Sequence, residues 1–470
     1  MKDVLDGTRL EAYLRGKVTD SGRGRQTVFT GFSIDTRTLK RGEIFFALKG
    51  PSFDGNDFIP EAFQKGAAAA VCSLEWFRKE GDSLADRLLI PSGDTLASLQ
   101  ELSSFHRRKF KLPLVAVTGT NGKTTTKEMI AACLGQKGKV LKTEGNLNNH
   151  IGVPLTLLGL SLEHSTAVLE LGMSRRGEIR RLAEIARPSV GVITNVGAAH
   201  LRDAGSVDEI VKGKSELGEY VESGGTLVLN ADFPQLVKEN EKWNLRKITF
   251  SLDRPSQFRL KRFTQKGAGY EIEVEDGAAY YVPLLGKGNI SNSLAALAVS
   301  KLMGISDAEF ARAIASMKPM PGRMELEEVG GIRIINDSYN ANPVSVSLAL
   351  ETIREIEVRG KKVALLGDML ELGEASGSLH KEIGERAAFL DELYAIGEFS
   401  LHIREGAEAK GMPSSRIKTV ETREEALNLL KPALASGDLL LIKGSRGMKL
   451  EEVFKGLKAN RMVNKAKVAK

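Results

Sequence analysis

Residues 114–127 read LVAVTGTNGKTTTK. Leu114 to Val117 is an apolar run, a glycine turn follows, and Thr124 to Thr126 open a segment of helical character. Strand, glycine loop and helix in that order predict a phosphate-binding loop. Gly119 and Gly122 let backbone N–H groups approach an anion closely. Lys123 brings a flexible ammonium to β- and γ-phosphates, and the Thr124 hydroxyl is a hard oxygen ligand for Mg²⁺. The longer common pattern would put its first glycine where this chain has Val117, so the loop is the shorter G-T-N-G-K-T form.

Outward from this loop the chain alternates apolar strands with helical segments. That rhythm predicts an α/β fold whose central sheet is doubly wound and mainly parallel, with ligands at the carboxyl ends of the strands. Thr166–Leu169 is one such strand and delivers Glu170 at that end. Ser189–Thr194 is another, followed by NVGAAHL with His200. Val207–Val221 reads as a helix carrying Lys212, Lys214 and Glu216. GNLNNHIGVP crowds Asn146, Asn148 and Asn149 into a hydrogen-bonding surface. Tyr270–Leu284 breaks the rhythm with the alternation of an antiparallel hairpin.

Beyond MKPMPGRME, a Pro- and Gly-bearing boundary, strand–helix alternation returns. Ile332–Asn336, Lys362–Leu366, Glu392–Ile396 and Leu439–Ile442 read as strands. Gly367–Asp368 and Gly444–Gly447 fall just after strands, at the ligand-binding edge of a Rossmann-like sheet. The segment before the loop is separate again and ends at KFKLP. Its stretch SIDTRTLKRGEIFFALKGPSFDGNDFI is dense in polar turn residues; Ser33, Arg37, Lys49 and Gly50 are candidates to hold a sugar or phosphate. Three domains are expected, over residues 1–110, 111–322 and 323–470.

A chain of 470 residues with 42% hydrophobic content can furnish several cores. No apolar run spans a bilayer, and MKDVLDGTRLEAYLRG lacks the apolar core of a signal peptide. Cys72 and Cys133 are the only cysteines, so no disulfide framework is implied and a reducing cytoplasm is the expected compartment. The formal charge is +7, partly from the basic end KANRMVNKAKVAK. No basic motif interleaved with aromatics accompanies it, so nucleic acid is not an expected partner. A basic cleft for an anionic small molecule accounts for the balance.

TGTNGKTTT, NLNNHIGVP, LELGMSRRGEI, ITNVGAAHL, GNISNSLAA, PGR and NDSYNANP together resemble the ATP-dependent Mur ligases of peptidoglycan synthesis, over nearly the whole chain. SIDTRTLKRGEIFFALKG, LGDMLELGE and KGSRGMKLEEV are similar to the branch that adds D-alanyl-D-alanine; the D-N-P-R motif of the diaminopimelate-adding branch is absent. The resemblance implies a uridine-nucleotide domain, an ATP domain and a C-terminal domain that closes over them. It implies ATP, two Mg²⁺ ions, UDP-N-acetylmuramoyl-tripeptide and D-alanyl-D-alanine as cofactors and partners, and a monomer.

Residue by residue, the resemblance implies ATP contacts at Gly119, Thr120, Asn121, Gly122, Lys123, Thr124 and Thr125, and again at Asn289, Asn292, Arg323 and Asp337. Arg323 and Asp337 lie beyond the domain boundary and would reach ATP on closure. Thr124, Glu170, His200 and Lys214 would hold metal, with Lys123, Glu170, His200 and Lys214 forming the catalytic set. Ser33, Arg37, Lys49, Gly50, Asn148 and Asn149 would face the uridine-linked substrate. Lys214 matches the lysine that several Mur ligases modify with CO₂; a free ammonium beside a metal would repel it, whereas a carbamate offers an oxygen ligand. One departure stands out. Family members often carry His just before the first of the two asparagines, and this chain has Gly288.

Two other readings share some features. A folylpolyglutamate synthetase has this architecture, but the Ser33–Lys49 stretch argues against it. A nucleotide switch would require a guanine-specific N-K-x-D motif, which is missing.

Overall fold

The computed structural model describes residues 29–198 and 201–468. Among them the chain builds three sheets. The first runs β1 (Gly31–Ser33), β2 (Glu43–Phe46), β3 (Ala69–Ser73) and β4 (Leu89–Ser92) in sequential order, every pair parallel. Ile44 and Phe46 enter one apolar cluster and Phe45 and Ala47 another, so β2 is covered on both faces.

The second sheet holds β5 (Leu114–Thr118), β6 (Lys139–Lys142), β7 (His164–Glu170), β8 (Val190–Ile193), β9 (Thr226–Asn230), β10 (Arg246–Ser251), β11 (Phe258–Lys266), β12 (Gly269–Val274) and β13 (Ala279–Val282). Their spatial order is β13-β12-β11-β10-β9-β8-β5-β7-β6. Pairing is parallel from β6 to β11 and antiparallel through β11, β12 and β13. The expected hairpin is therefore the outer part of a three-stranded meander. Along β5, Val115 and Val117 pack on one face with Met129 and Ile130 of the helix Lys123–Leu134. Leu114 and Ala116 pack on the other with Ile179 and Leu182 of the helix Glu178–Ala186. Period-two alternation into two cores is what makes the sheet doubly wound. After β6 and β7 form on one side of β5, the chain crosses to place β8 on the other. The crevice this reversal leaves lies at the carboxyl end of β5, where the glycine loop begins.

The third sheet has the order β14-β15-β19-β16-β17-β18, with β14 (Glu325–Val329) antiparallel to β15 (Ile332–Asp337). The remaining strands are β16 (Lys362–Gly367), β17 (Glu392–Ile396), β18 (Ile417–Val420) and β19 (Leu439–Lys443), paired in parallel. Insertion of β19 between β15 and β16 makes a second reversal point, so the loops after these three strands leave one edge together.

The first unit is fastened to the second through the helix Thr95–Arg108. Buried Arg107 donates to the carbonyls of Ala186 at 3.0 Å and Phe110 at 2.7 Å. Gln100 donates to the His150 carbonyl at 3.0 Å and accepts from Arg181 at 2.9 Å. No helix among the described residues is long and apolar enough to cross a membrane.

Candidate active site

The glycine loop is shaped by what packs against it. Gly122 has φ +78°, and a Cβ there would lie 2.1 Å from Asn292 Oδ1. A Cβ on Gly119, at φ +151°, would lie 1.9 Å from Thr194 Oγ1. Both positions therefore require glycine on conformation and on space. Asn195 Oδ1 accepts from the Asn121 backbone at 2.8 Å, and Thr194 Oγ1 donates to the Asn121 carbonyl at 2.6 Å. The helix Lys123–Leu134 starts at Gly122, so its free N–H groups and dipole face the loop. Lys123 Nζ folds back to the carbonyls of Gly119 at 2.7 Å and Thr120 at 3.1 Å.

A cleft of about 1190 Å³ opens over this loop, and all three units contribute to it. Thr120 to Thr125, Asn148, Asn149, Glu170, Asn289, Asn292, Arg323 and Asp337 all line it. Most of the site expected from sequence is thus brought to one place from positions more than two hundred residues apart. His200 lies outside the described residues.

Glu170 ends β7 and is buried. Its backbone N–H donates to Thr143 Oγ1 at 2.9 Å, and Asn148 Nδ2 donates to Oε1 at 2.7 Å. Oε2 is buried without a hydrogen-bond partner. A buried carboxyl oxygen in that condition is a place for a bound cation or donor. With the Thr124 hydroxyl nearby in the same cleft, the donors are hard oxygens and fit Mg²⁺. No cluster of three or more His, Cys, Asp or Glu is preassembled among the described residues.

Two lysines have depressed pKa values. Burial pulls Lys123 down; the Glu170 carboxylate opposes this and the Arg323 cation adds to it. Burial pulls Lys214 well below its ordinary value, with the Lys123 charge adding to the effect. Lys214 sits in the helix Val207–Ser215, 4% exposed and outside the cleft lining, whereas Lys212 is exposed and paired with Glu209 at 2.9 Å. The turn after Lys214 is clamped. Trp243 Nε1 donates to the Ser215 carbonyl at 3.0 Å, and the Glu216 carboxylate accepts from Gly177 N at 2.9 Å, capping the helix Glu178–Ala186.

From the third unit, Arg323 Nη2 donates to Thr124 Oγ1 at 2.9 Å while its guanidinium lies 3.8 Å from the Tyr339 ring centre. Arg323, expected from beyond the domain boundary, thus touches the phosphate loop in this structure. Asp337 pairs with buried Lys443 at 2.5 Å and accepts from Met324 N at 3.1 Å. Asn289 Nδ2 donates to the Leu285 carbonyl at 2.7 Å. Asn292 is buried, held by Thr126 Oγ1 at 3.2 Å and donating to Asn289 at 3.0 Å, so it braces Gly122 from behind.

Other candidates are engaged locally. Asn149 Oδ1 accepts from Gly152 N at 2.9 Å and Ile151 N at 3.1 Å, which ties its oxygen to the start of the helix Gly152–Leu158. Arg37 is exposed and forks onto Asp35 at 2.6 and 2.9 Å, a hydrogen bond that holds the Asp35 carboxyl down at about 2. Ser33 Oγ donates to the Asp35 carbonyl at 3.0 Å, and Gly50 N to the Phe53 carbonyl at 2.9 Å. Ser33, Arg37, exposed Lys49 and Gly50 are not among the lining residues of the cleft. They do share an edge, because Ser33 is in register with Phe45 at the carboxyl ends of β1 and β2. Thr95 Oγ1 donates to the Ala47 carbonyl at 2.9 Å, and Leu96 beside it lines the cleft, so this edge adjoins the cleft wall.

Sequence reasoning gave no role to Lys443, Tyr339, Arg446 or Asn342, all of which line the cleft. Their signals were membership of the motifs NDSYNANP and KGSRGMKLEEV and a position at or shortly after the ends of β15 and β19, the edge where ligands bind.

The same three units are recovered by comparison with known proteins. Residues 28–106 match the model described as Mur ligase family, catalytic domain; residues 117–300 match the Mur ligase middle domain; residues 322–446 match the Mur ligase, glutamate ligase domain. A curated relative from Bacillus subtilis, named UDP-N-acetylmuramoyl-tripeptide–D-alanyl-D-alanine ligase, is 37% identical over 92% of this chain and 94% of its own length. One of the same name from Escherichia coli is 34% identical over 93% of this chain and 96% of its own. Among solved structures, the MurF ligase of Thermotoga maritima in complex with ADP superposes with a TM-score of 0.81 at 30% identity, covering 92% of this chain and 98% of that one. Matches that run through every sheet and both reversal points, at such identity, leave one assignment: the chain belongs to the Mur ligase family.

Proposed function

We propose that this chain is an ATP-dependent amide ligase that joins D-alanyl-D-alanine to the free carboxylate of UDP-N-acetylmuramoyl-tripeptide. It acts as a cytoplasmic monomer in peptidoglycan precursor synthesis, and so in cell shape and division. Its working domains are residues 1–110 for the uridine nucleotide, 111–322 for ATP and 323–470 for closure and the incoming amine. The observation that carries the reading is the Arg323–Thr124 hydrogen bond, which sets a cation from the third unit on the phosphate loop, in the same cleft as a buried, unsatisfied carboxylate oxygen of Glu170. The names of the relatives supply the two substrates.

A carboxylate is a poor acyl donor because an oxide would have to leave. Its oxygen attacks the γ-phosphorus of ATP, the bond to the bridging oxygen breaks, and ADP departs. The acyl phosphate that results has phosphate as its leaving group. The dipeptide amine attacks the carbonyl carbon, a proton is released, and the tetrahedral intermediate collapses to amide and phosphate. The protein positions three anionic reactants and neutralises charge as it moves. Backbone N–H groups from Thr120 to Thr125 cradle the phosphates, Lys123 and Arg323 face the transferring group, and Asn289 and Asp337 serve the nucleoside.

Mg²⁺ supplies neutralisation between the triphosphate and the attacking carboxylate; Thr124 and Glu170 would hold one ion, His200 and a carbamylated Lys214 a second. Desolvation, with the Lys123 charge adding to it, pulls the buried Lys214 amine well below its ordinary pKa and so favours the neutral form, which adds CO₂ to give a carbamate and a proton. ADP release measured with each substrate omitted in turn tests the reading. Turnover that needs both the tripeptide nucleotide and the dipeptide is expected, and rapid ADP release with neither overturns it.

A further inference from the structure

The cleft carries more positive than negative side chains, and most are already neutralised. Arg175, Arg176, Arg181 and Lys443 each have a carboxylate partner. Lys123 and Arg323 sit on the phosphate loop. That leaves Arg446. Among the described residues no carboxylate pairs with it; its guanidinium lies 5.0 Å from the centre of the Tyr339 ring, and the residue is exposed to the cleft.

The loop that carries Arg446, after β19, is held by the loops after β15 and β16. Ser445, buried beside it, donates from its backbone to the Asp368 carbonyl at 3.0 Å, accepts at Oγ from Leu370 N at 2.9 Å, and donates to the Ala341 carbonyl at 3.3 Å. An exposed arginine on a fixed base, stacked on an aromatic ring and lacking an anion, is organised for a ligand carboxylate.

We propose that Arg446 binds the C-terminal carboxylate of the incoming dipeptide and so sets both its orientation and the enzyme's preference for a free acid. This rests on the ligase reading above. Both guanidinium groups lie over Tyr339, within about 9 Å of each other, and an extended dipeptide spans about 7 Å. A carboxylate on Arg446 therefore leaves the amine within reach of an acyl phosphate held by Arg323 and Lys123. The walls between fit alanine side chains. Leu370 is 45% exposed in the cleft, Ala341 is nearby, and a Cβ on Gly447 would come within 3.0 Å of Leu370 Cδ1. These residues offer apolar surface for methyl groups.

The test is a cycle between protein and substrate. Wild type and Arg446→Gln are assayed for ADP release with D-alanyl-D-alanine and with its C-terminal amide, the other substrates saturating. The wild type should prefer the acid by roughly 10- to 100-fold in kcat/KM, and Arg446→Gln should lose that preference through a raised dipeptide KM, with KM for ATP within about twofold. Arg446→Lys should recover part of the preference, since charge returns without the fork. An Arg446→Gln enzyme that still discriminates acid from amide overturns the assignment. So does a variant whose ATP KM rises instead, which would give Arg446 to the triphosphate. Wild type with no dipeptide-dependent turnover at all would remove the ligase reading as well.

Discussion

The side chains of Asn121 and Asn342 face each other amide to amide. Asn342 Nδ2 donates to Asn121 Oδ1 at 2.7 Å, and Asn121 Nδ2 donates back to Asn342 Oδ1 at 3.2 Å. One belongs to the phosphate loop and the other to the third unit. Asn342 Oδ1 also accepts from Ser345 N at 2.9 Å and so caps the helix Pro343–Glu355. A single side chain thus ties the start of that helix to the nucleotide loop.

Asn342→Asp keeps an acceptor for the helix cap and loses the donor to Asn121. Stability should change by well under about 1 kcal/mol while kcat/KM falls about tenfold. Asn342→Ala loses the cap too and should cost about 1 kcal/mol more. Small-angle scattering should show both variants more extended than wild type. Unaltered scattering and kinetics in Asn342→Asp would show that the amide pair does not hold the units together.

Lys123→Ala should lower kcat by about a thousandfold or more if, as proposed, this cation turns from the Gly119 and Thr120 carbonyls to the transferring phosphoryl group. Calorimetric affinity for the uridine nucleotide should stay within about twofold, since Ser33, Arg37, Lys49 and Gly50 lie on another sheet. A parallel collapse of that affinity would contradict the domain assignment.

Lys214 makes a prediction about bicarbonate. Its pKa is depressed in the folded chain relative to the ordinary value of 10.5, so between the two values the unfolded chain binds the proton and the folded chain does not. Stability from this residue therefore rises with pH up to the ordinary value and is reduced at neutral pH. A carbamate removes the amine from that balance. Bicarbonate should raise the melting midpoint at neutral and alkaline pH, and the gain should shrink once pH falls through the depressed value. Lys214→Ala should abolish the shift and nearly all turnover, with partial rescue by small carboxylic acids. Lys212→Ala should do neither. Bicarbonate without effect on wild-type melting would count against the modification.

Asn148 holds one oxygen of Glu170 and leaves the other unsatisfied. Asn148→Leu should raise the Mg²⁺ concentration for half-maximal ADP release by about tenfold, the worth of a hydrogen bond to a charged group. An unchanged Mg²⁺ titration would assign Asn148 to the substrate alone.

The fold and the phosphate loop were legible because their signals are local. The apolar run Leu114–Val117, the glycines and the hydroxyls stand in one short stretch, and Glu170 is read from the strand that ends on it. Arg323 was legible only through resemblance, and its partner Thr124 lies 199 positions earlier. Lys443 and Asp337 pair across 106 positions, and no window of sequence shows that a buried lysine at the end of β19 needs a carboxylate at the end of β15. Asn149 and Arg37 show local bonds that the sequence reading did not anticipate. Each has the chemistry of a ligand contact, yet near neighbours occupy much of it, as short polar side chains in turns often arrange.

Gly288 lines the cleft at the start of the helix Lys287–Leu302, and a Cβ added there would meet only Leu348 Cδ1, at 3.9 Å. The cleft wall therefore has room at residue 288 for a side-chain carbon in ordinary contact with Leu348. For inhibitor design the glycine is a handle on selectivity: a cleft ligand extended toward residue 288 has space here that a bulkier side chain at that position would take.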